Sequence, residues 1–381
     1  MSDISPNRLN DALTRAPSLA ALSGRRTEFA KAERVWSDVL EPELSRREES
    51  RKATIRAAIT RSIIGAGIPI FITILLMIST LVSVDIISPG LIFLVLVSGA
   101  IVSATAWVKV FTMKSQTKQL ILSAACEPFG FSYDTLHPDL SGIVDLKTLA
   151  SRAKELNAAY SGKMNSTVNT PLGAINMSST NGPDAPTPAF EILKTVKLLP
   201  GHSRLKFEDL ISGERAGTRF ALVEAKLETG GKNSKTVFQG ILVHVEYPER
   251  FLGRTVIARS GWWKRGRYSG DLKKVDLISR ELEEAFTVYS TDQVEARALL
   301  SPDSMERLIA LERHFSGGKL RGVFEDGHMT LALEAEDQFE AGSIFKTLVD
   351  PRRYASALVE LGLVCDLIDG FLTRDWVQGR L

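Results

Sequence analysis

Cysteine is scarce: Cys126 and Cys365 are the only two in a chain of 381 residues. Two cysteines exclude a disulfide framework or a cysteine-rich zinc module. One bridge between them stays open, and a reducing compartment is the simpler reading. Charge of one sign is missing as well. Lys and Arg number 47 against 45 Asp and Glu, a formal charge of +2, so no basic surplus points to nucleic acid and no acidic excess to a solvating tail. The five histidines, His137, His202, His244, His314 and His328, show no ligand spacing, and neither a Gly-x-Ser-x-Gly elbow nor a Cys/His pair is present. Gly230-Gly231-Lys232-Asn233 lacks the glycine spacing and the Ser or Thr after the lysine that a phosphate-cradling loop requires, and reads as a hairpin turn. No metal and no cofactor are implied. At 44% hydrophobic and 24% charged, the chain is too apolar for wholesale disorder and long enough for one large domain or two ordinary ones.

Uninterrupted apolar sequence, by contrast, is plentiful. Ser62 to Val84 is an uncharged run rich in Ile and Leu, and Ile86 to Val108 is a second, separated by Asp85 alone. Each exceeds the ~20 residues that cross a bilayer core as a helix. Neither carries the polar stripe of a buried soluble helix, since Ser and Thr can bond back to their own helix. We expect a transmembrane helical hairpin over 62–108, turning at Asp85, Ser88, Pro89 and Gly90, with a buried soluble hairpin as the alternative. Arg46, Arg47, Arg51, Lys52, Arg56 and Arg61 precede the first run and Lys109, Lys114 and Lys118 follow the second, so the positive-inside rule places both termini in the cytoplasm. The first run starts too late, and without a small-residue cleavage site, to be a cleaved signal. Neither run holds an ionisable residue for a substrate or proton path, which disfavours a transport subunit. Gly99 and Ser103 form a small-xxx-small spacing that could seat either the partner helix or another copy, leaving a homo-oligomer open.

Residues 1–61 read as a polar tail, an amphipathic helix over Arg26 to Leu40, a break or kink at Pro42, and a charged helix running into the first span. Trp36 would sit at a membrane surface or on a partner, or else pack on the protein's own domain. Residues 109–160 form a helical connector. Ser115 to Glu127 carries an apolar patch of Leu120, Ile121, Ala124 and Ala125, with Lys118 outside it and Pro128 ending it, and a further helix covers 143–160. Cys126 reads as an inert buried hydrophobe. Residues 161–188, rich in Asn, Ser, Gly and Pro, read as a flexible surface loop. The Asn-x-Ser/Thr patterns at Asn165 and Asn176 are chance matches on a cytoplasmic segment.

From 189 to 381 the sequence implies an α+β domain with an antiparallel sheet and flanking helices. Strands are expected at Thr218 to Leu227, Thr236 to Tyr247, Gly253 to Ser260, Phe286 to Tyr289 and on both sides of Asp326-Gly327. Helices are expected at Leu272 to Ala285, at Val294 to Leu300 behind a Ser290/Gln293 capping box, at Pro302 to Phe315 and at Arg353 to Phe371.

Two constellations carry possible function. Asp292 and Glu295 lie three apart on one helix face beside Tyr289 and Arg297, where two carboxylates could share a proton or a cation. Against this, Asp292 suits a helix start and Glu295 a neighbouring basic group. Glu208 and Asp209 invite the same comparison, and read as a turn or cap. The second constellation, Trp262-Trp263-Lys264-Arg265-Gly266-Arg267-Tyr268, joins two tryptophans to three cations. Such a patch inserts in headgroups, stacks on single-stranded bases or receives an acidic protein segment. Tethering to a bilayer favours lipid contact over nucleic acid. The bland alternative has one Trp in the core and the cations solvated.

Phe207 to Glu214, Phe238-Gln239-Gly240 and above all Phe286 to Arg297, followed by Leu299-Leu300-Ser301-Pro302 and Met305 to Leu308, resemble a bacterial two-span membrane family, the domain of unknown function thirty-one thirty-seven. The resemblance covers the stretch from Arg56 to Phe345, and Asp292 to Arg297 is its most specific part. It implies a bacterial inner-membrane protein with a cytoplasmic domain and carries over no catalytic residue. We therefore expect a membrane-anchored cytoplasmic binding or scaffold module, without catalysis. It would recognise a protein partner or the lipid surface through Trp262, Trp263, Lys264, Arg265, Arg267, Asp292, Glu295 and Arg297. A membrane-tethered hydrolase using the carboxylates near Asp292 and Glu295 is the alternative.

Overall fold

The computed structural model describes residues 18–81, 89–135, 165–170, 173–178, 188–230, 234–247, 250–260, 271–277, 280–314, 319–335, 339 and 342–372. The chain forms two compact units, one from 1–124, 139–152 and 341–355 and the other from 125–138, 153–340 and 356–381. The expected helix over 143–160 lies outside the described residues.

In the first unit, α1 (Leu19–Ser23) is capped by Ser18, whose Oγ accepts the Ala21 N–H. A 3-10 turn at Thr27–Phe29, α2 (Ala32–Val35) and a π-helical turn at Trp36–Leu40 follow. Phe29, Ala32, Trp36 and Leu40 are all buried, so the helical spacing seen in the sequence marks an inward face. Trp36 is therefore an internal packing residue and not one laid on a membrane surface. Pro42 does not break a helix either. It is the second residue of α3 (Glu41–Leu81), which follows the π-helical turn without interruption, the Glu41 N–H bonding back to the Trp36 carbonyl, so the chain passes from π to α spacing at the proline without ending. α3 continues through Pro69, and α4 (Pro89–Cys126) follows. Among the described residues, one helical segment, Thr27–Ile74, is long and apolar enough to cross a membrane.

α3 and α4 run antiparallel in contact. Arg47 Nη1 donates to the Gln116 carbonyl (3.5 Å) and Trp107 Nε1 to Ser62 Oγ (2.9 Å). Gly65 and Gly99 lie so close that a Cβ on either would meet the other's carbonyl oxygen. Gly99 thus seats α3 rather than standing open. Lys118, placed outside the apolar patch by its sequence position, is buried together with Thr117; its long aliphatic stem can line an apolar surface.

The second unit is built on a nine-stranded sheet ordered β1-β4-β5-β6-β11-β10-β7-β9-β8, antiparallel at every pairing. The strands are β1 (Ser132–Thr135), β4 (Arg204–Arg215), β5 (Thr218–Glu228), β6 (Thr236–Glu246), β7 (Thr255–Arg259), β8 (Lys273–Val275), β9 (Phe286–Ser290), β10 (Arg321–Glu325) and β11 (His328–Glu334). Asp326 and Gly327 between the last two have φ of 49° and 78°, the left-handed pair that a two-residue hairpin turn demands. α5 (Pro188–Thr195) lays Phe190 and Leu193 on one sheet face against Phe207, Val223, Leu242 and Ala332. On the other face, α9 (Pro351–Leu372) sets Phe371 against Phe324 (centroids 5.5 Å apart) and Asp369 against Arg215 (2.5 Å).

Four expectations change. Glu208 and Asp209 are not in a turn but inside β4, at a register shift between Phe207 and Leu210 that admits polar residues into a strand. Leu272 to Ala285 is not one helix: its first part pairs as the edge strand β8, and only α6 (Arg280–Ala285) is helical. The segment 161–188 contains a self-paired ribbon, β2 (Asn165–Thr170) with β3 (Gly173–Ser178), in which Val168 opposes Ile175 amid the polar residues that gave the stretch its loop-like composition. The helix after β9, α7 (Gln293–Leu299), is capped by Asp292 and not by Ser290. α8 (Pro302–His314) buries Met305 and Leu308 as its spacing requires.

Gly99→Val should cost about 1–3 kcal/mol through overpacking, read as a lower thermal unfolding midpoint of the full chain in detergent. Gly65→Ala should cost less, because its Cβ would meet nothing closer than 3.1 Å. Equal, negligible losses would mean that the helices do not meet at these glycines.

Candidate functional site

The Asp292 constellation sits where β9 passes into α7. Ser290, fully buried, has its Oγ 2.9 Å from Thr255 Oγ1; it accepts the Asp292 N–H (3.0 Å) and donates to the Asp292 carbonyl (2.7 Å). That bracket turns the chain out of the sheet. Asp292 Oδ1 then accepts the N–H groups of Val294 (2.9 Å) and Glu295 (3.0 Å), donors that an uncapped first turn would leave without partners. Glu295 reaches across to the loop before β7, where its two carboxylate oxygens accept the N–H of Leu252 (2.7 Å) and of Gly253 (2.9 Å). Thr291 completes the clasp by accepting the Arg254 N–H (2.8 Å). Gly253 is required for this approach, since a Cβ there would run into Thr291 Oγ1 and Asp292. Among the described residues, Arg297 makes long contacts, 3.4 Å each, to the Asp276 carbonyl and to Gln293 Oε1.

The structure brings Asp292, Glu295 and Arg297 to one corner, and both carboxylates are engaged by backbone donors. The neighbouring cation expected for Glu295 is replaced by two N–H groups. Beside them, Leu252 is 87% exposed and Val294 78% exposed, so what this corner presents to solvent includes two aliphatic side chains. Trp262, Trp263, Lys264, Arg265 and Arg267 lie outside the described residues. Asp209 accepts a hydrogen bond from the Tyr133 hydroxyl (2.8 Å), while Glu208 pairs with Lys206 (2.5 Å).

A second polar group was invisible in the sequence. His244 of β6 and His328 of β11 are 84 positions apart in the chain numbering but stack with centroids 4.9 Å apart and planes 15° apart. On the same register row, His328 lies between Glu246 of β6 and Glu325 of β10. Arg219 forks onto Glu246 (2.6 and 2.8 Å) and Arg254 pairs with Glu325. An Arg-Glu-His-Glu-Arg ladder thus crosses four neighbouring strands, β5, β6, β11 and β10, and ends on the residue before β7. His244 is buried with Nδ1 2.9 Å from Thr330 Oγ1, and burial, with a smaller contribution from His328, pushes its pKa down to about 3. Period-two placement of both histidines within their strands is the signal that could have found the pair, once register was known. Among the described residues no group of three or more His, Cys, Asp or Glu is placed to hold a metal ion. A cavity of about 520 Å³ along α8 is lined by Asp303, Glu306, Arg307 and Arg313, a mixture of signs that offers no single charge to a ligand.

Residues 236–372, from β6 to the end of α9, match the family described as Protein of unknown function (DUF3137). The match takes in Phe238-Gln239-Gly240 and the whole of Phe286 to Arg297; it does not reach Phe207 to Glu214, α3 or α4. No curated protein matches the chain. Among solved structures, that of the mycobacterial trehalose monomycolate transport factor A, TtfA, is similar over 67% of this chain and 97% of that chain, at 10% identity and a TM-score of 0.29.

Two outcomes follow from this geometry. Glu295→Ala should destabilise the fold by about 1–2 kcal/mol, and Glu295→Gln, which keeps one acceptor, by less; chemical unfolding of the full chain in detergent reads both, and no loss in either would mean the loop clasp is not formed. His244 charges at ordinary pH only when unfolded, so the unfolded chain binds more protons below pH ~6.5 and stability is lost as pH falls from there toward about 3. Between pH ~7 and ~5 this site should remove about 2 kcal/mol. His244→Gln should flatten that part of the profile, and an unchanged slope would refute the assignment.

Proposed function

We propose that the chain is a bacterial inner-membrane protein whose α3 and α4 form a two-span helical hairpin with both ends cytoplasmic. Its α+β domain would act as a binding or scaffold module for a protein partner or the lipid surface, without catalysis. The membrane part is supported by the exposed apolar side chains Ile63, Ile64, Ile68, Ile70, Phe71 and Ile74, a contiguous stretch of α3 beginning directly after Arg61. The observation that carries the binding part is the corner at α7. Its two carboxylates are spent on backbone N–H groups, while Leu252 and Val294 stand exposed beside them. An acid-base pair needs carboxylates free to meet a substrate, so the hydrolase reading finds less support than recognition. The Trp262-to-Arg267 patch belongs to the same proposal as a docking surface for an acidic segment or anionic headgroups.

Crosslinking from membranes with the intact chain tests it. Trp262→Ala with Trp263→Ala should remove one reproducibly captured protein, and Leu252→Asp with Val294→Asp should do so if the α7 corner is the docking face. Unchanged capture by both folded variants, together with turnover that Glu295→Gln abolishes, would overturn the binding reading in favour of the enzyme.

A further inference from the structure

Residues 342–350 have no regular secondary structure, yet their backbone is gripped from three sides within the first unit. Arg51 Nη1 donates to the Ile344 carbonyl (2.8 Å), and Glu48 Oε2 accepts the Leu348 N–H (3.0 Å). Arg353 Nη2 donates to the carbonyls of Ser343 (2.9 Å) and Thr347 (2.7 Å). Arg51 and Arg353 are themselves buried, and Arg51 is paired with Glu48 (2.6 Å). Charged side chains rarely enter a protein interior unless paired or hydrogen-bonded, so two buried guanidinium groups on one irregular segment mark this grip as a built feature. It holds one side chain in an unfavourable place. Phe345 is 60% exposed to solvent, and leaving a phenyl ring in water forfeits most of what its burial would contribute.

The ring has a particular neighbour. Its centroid is 6.1 Å from that of Trp107, tilted by 60°. Trp107 bonds to Ser62, the residue after Arg61 at which α3 turns apolar, and Phe111, one turn further along α4, is 59% exposed. Lys109 and Lys346 are sequence neighbours of this aromatic group. An aromatic pair with a further exposed ring one helical turn away and lysines adjacent in sequence, located where an exposed apolar helix stretch begins, matches the side-chain preferences of the headgroup layer.

We propose that Phe345, together with Trp107 and Phe111, seats in the headgroup boundary of the bilayer, so that 342–350 is a third lipid contact supplied from the C-terminal part of the chain. The Trp107–Ser62 hydrogen bond places this group at the start of the exposed apolar stretch of α3 that begins at Ile63, which favours lipid over a protein cover. The inference rests on the transmembrane reading of those two helices.

The full chain, reconstituted in vesicles of phosphatidylethanolamine and phosphatidylglycerol, tests both. A nitrobenzoxadiazole label is placed at Phe345→Cys, Phe71→Cys or Val39→Cys, three exposed positions; Cys126 and Cys365 are buried, and the unsubstituted chain sets the labelling background. Val39 precedes α3, and Glu41 is about 30 Å of helix from Ser62. The label at 345 should shift to the blue and lose emission most strongly to a lipid spin-labelled near its headgroup. At 71, quenching should be stronger from a spin label deep in the acyl chain, and at 39 there should be little of either. Quenching at 71 without quenching at 345, even with a blue shift at 345, overturns this inference and leaves the anchor standing. No quenching at 71 or 345 overturns the anchor and this inference together. Equal quenching at 39 and 345 means general adsorption to the vesicle and also overturns it.

Discussion

Backbone that leaves a helix or strand must still find partners for its N–H and C=O groups, and in this chain ionised side chains supply them. Glu295 accepts from Leu252 and Gly253, Glu283 from Leu277, Glu312 from Leu320, Glu360 from Phe339 and Glu48 from Leu348. In each case a glutamate projecting from a helix fixes a segment with no regular structure. Three of them have a second duty: Glu312, almost fully buried, also takes Arg259, Glu48 takes Arg51, and Glu360 accepts from the Ser356 hydroxyl. Charge-assisted bonds of this kind are stronger than neutral ones. Without them the connections that shape both units would hold their polar groups against a low-dielectric background.

The same interior silences groups that could otherwise react. His244 is kept neutral by burial, and burial pushes the Cys126 thiol up to about 12. A thiol so shifted holds almost no thiolate near neutral pH, and thiolate is the nucleophilic form. The sheet face that carries the histidines also changes character along its strands. Beneath α5 it is aliphatic and aromatic; beyond His244 it becomes the Arg219-to-Arg254 ladder, where pairs are partly exposed and contribute little each. What the second unit offers to its surroundings is therefore set by its rims and loops.

The sequence made the regular elements legible because alternation along strands and spacing along helices are local signals. Thr218 to Leu227, Thr236 to Tyr247 and the Asp326-Gly327 turn read directly, as did Pro302 opening α8. β4 escaped because Glu208-Asp209 interrupts its alternation at a bulge, and β8 because three residues on a sheet edge carry no period of their own. Trp36 stayed open in the sequence because an amphipathic face looks alike whether it meets lipid or core, and Pro42, read as a break or kink, is passed by a helix that changes from π to α spacing there. Of the candidate site, the cap role of Asp292 was readable from its place before a helix. Glu295's partner was not, since Leu252 and Gly253 lie more than forty positions away and only the pairing of β7 with β9 brings them near.

Pro69 lies four residues after Gly65, so the Gly65 carbonyl oxygen has no N–H to receive from the next turn of its own helix. Across the interface, Gly99 directs a Cα–H at that same oxygen, along the line a Cβ would have taken. Such a C–H donor is weak, but where water is excluded it is the partner at hand. The lesion that proline makes in one helix is thereby mended by its neighbour, and the two glycines are less a spacer than a suture.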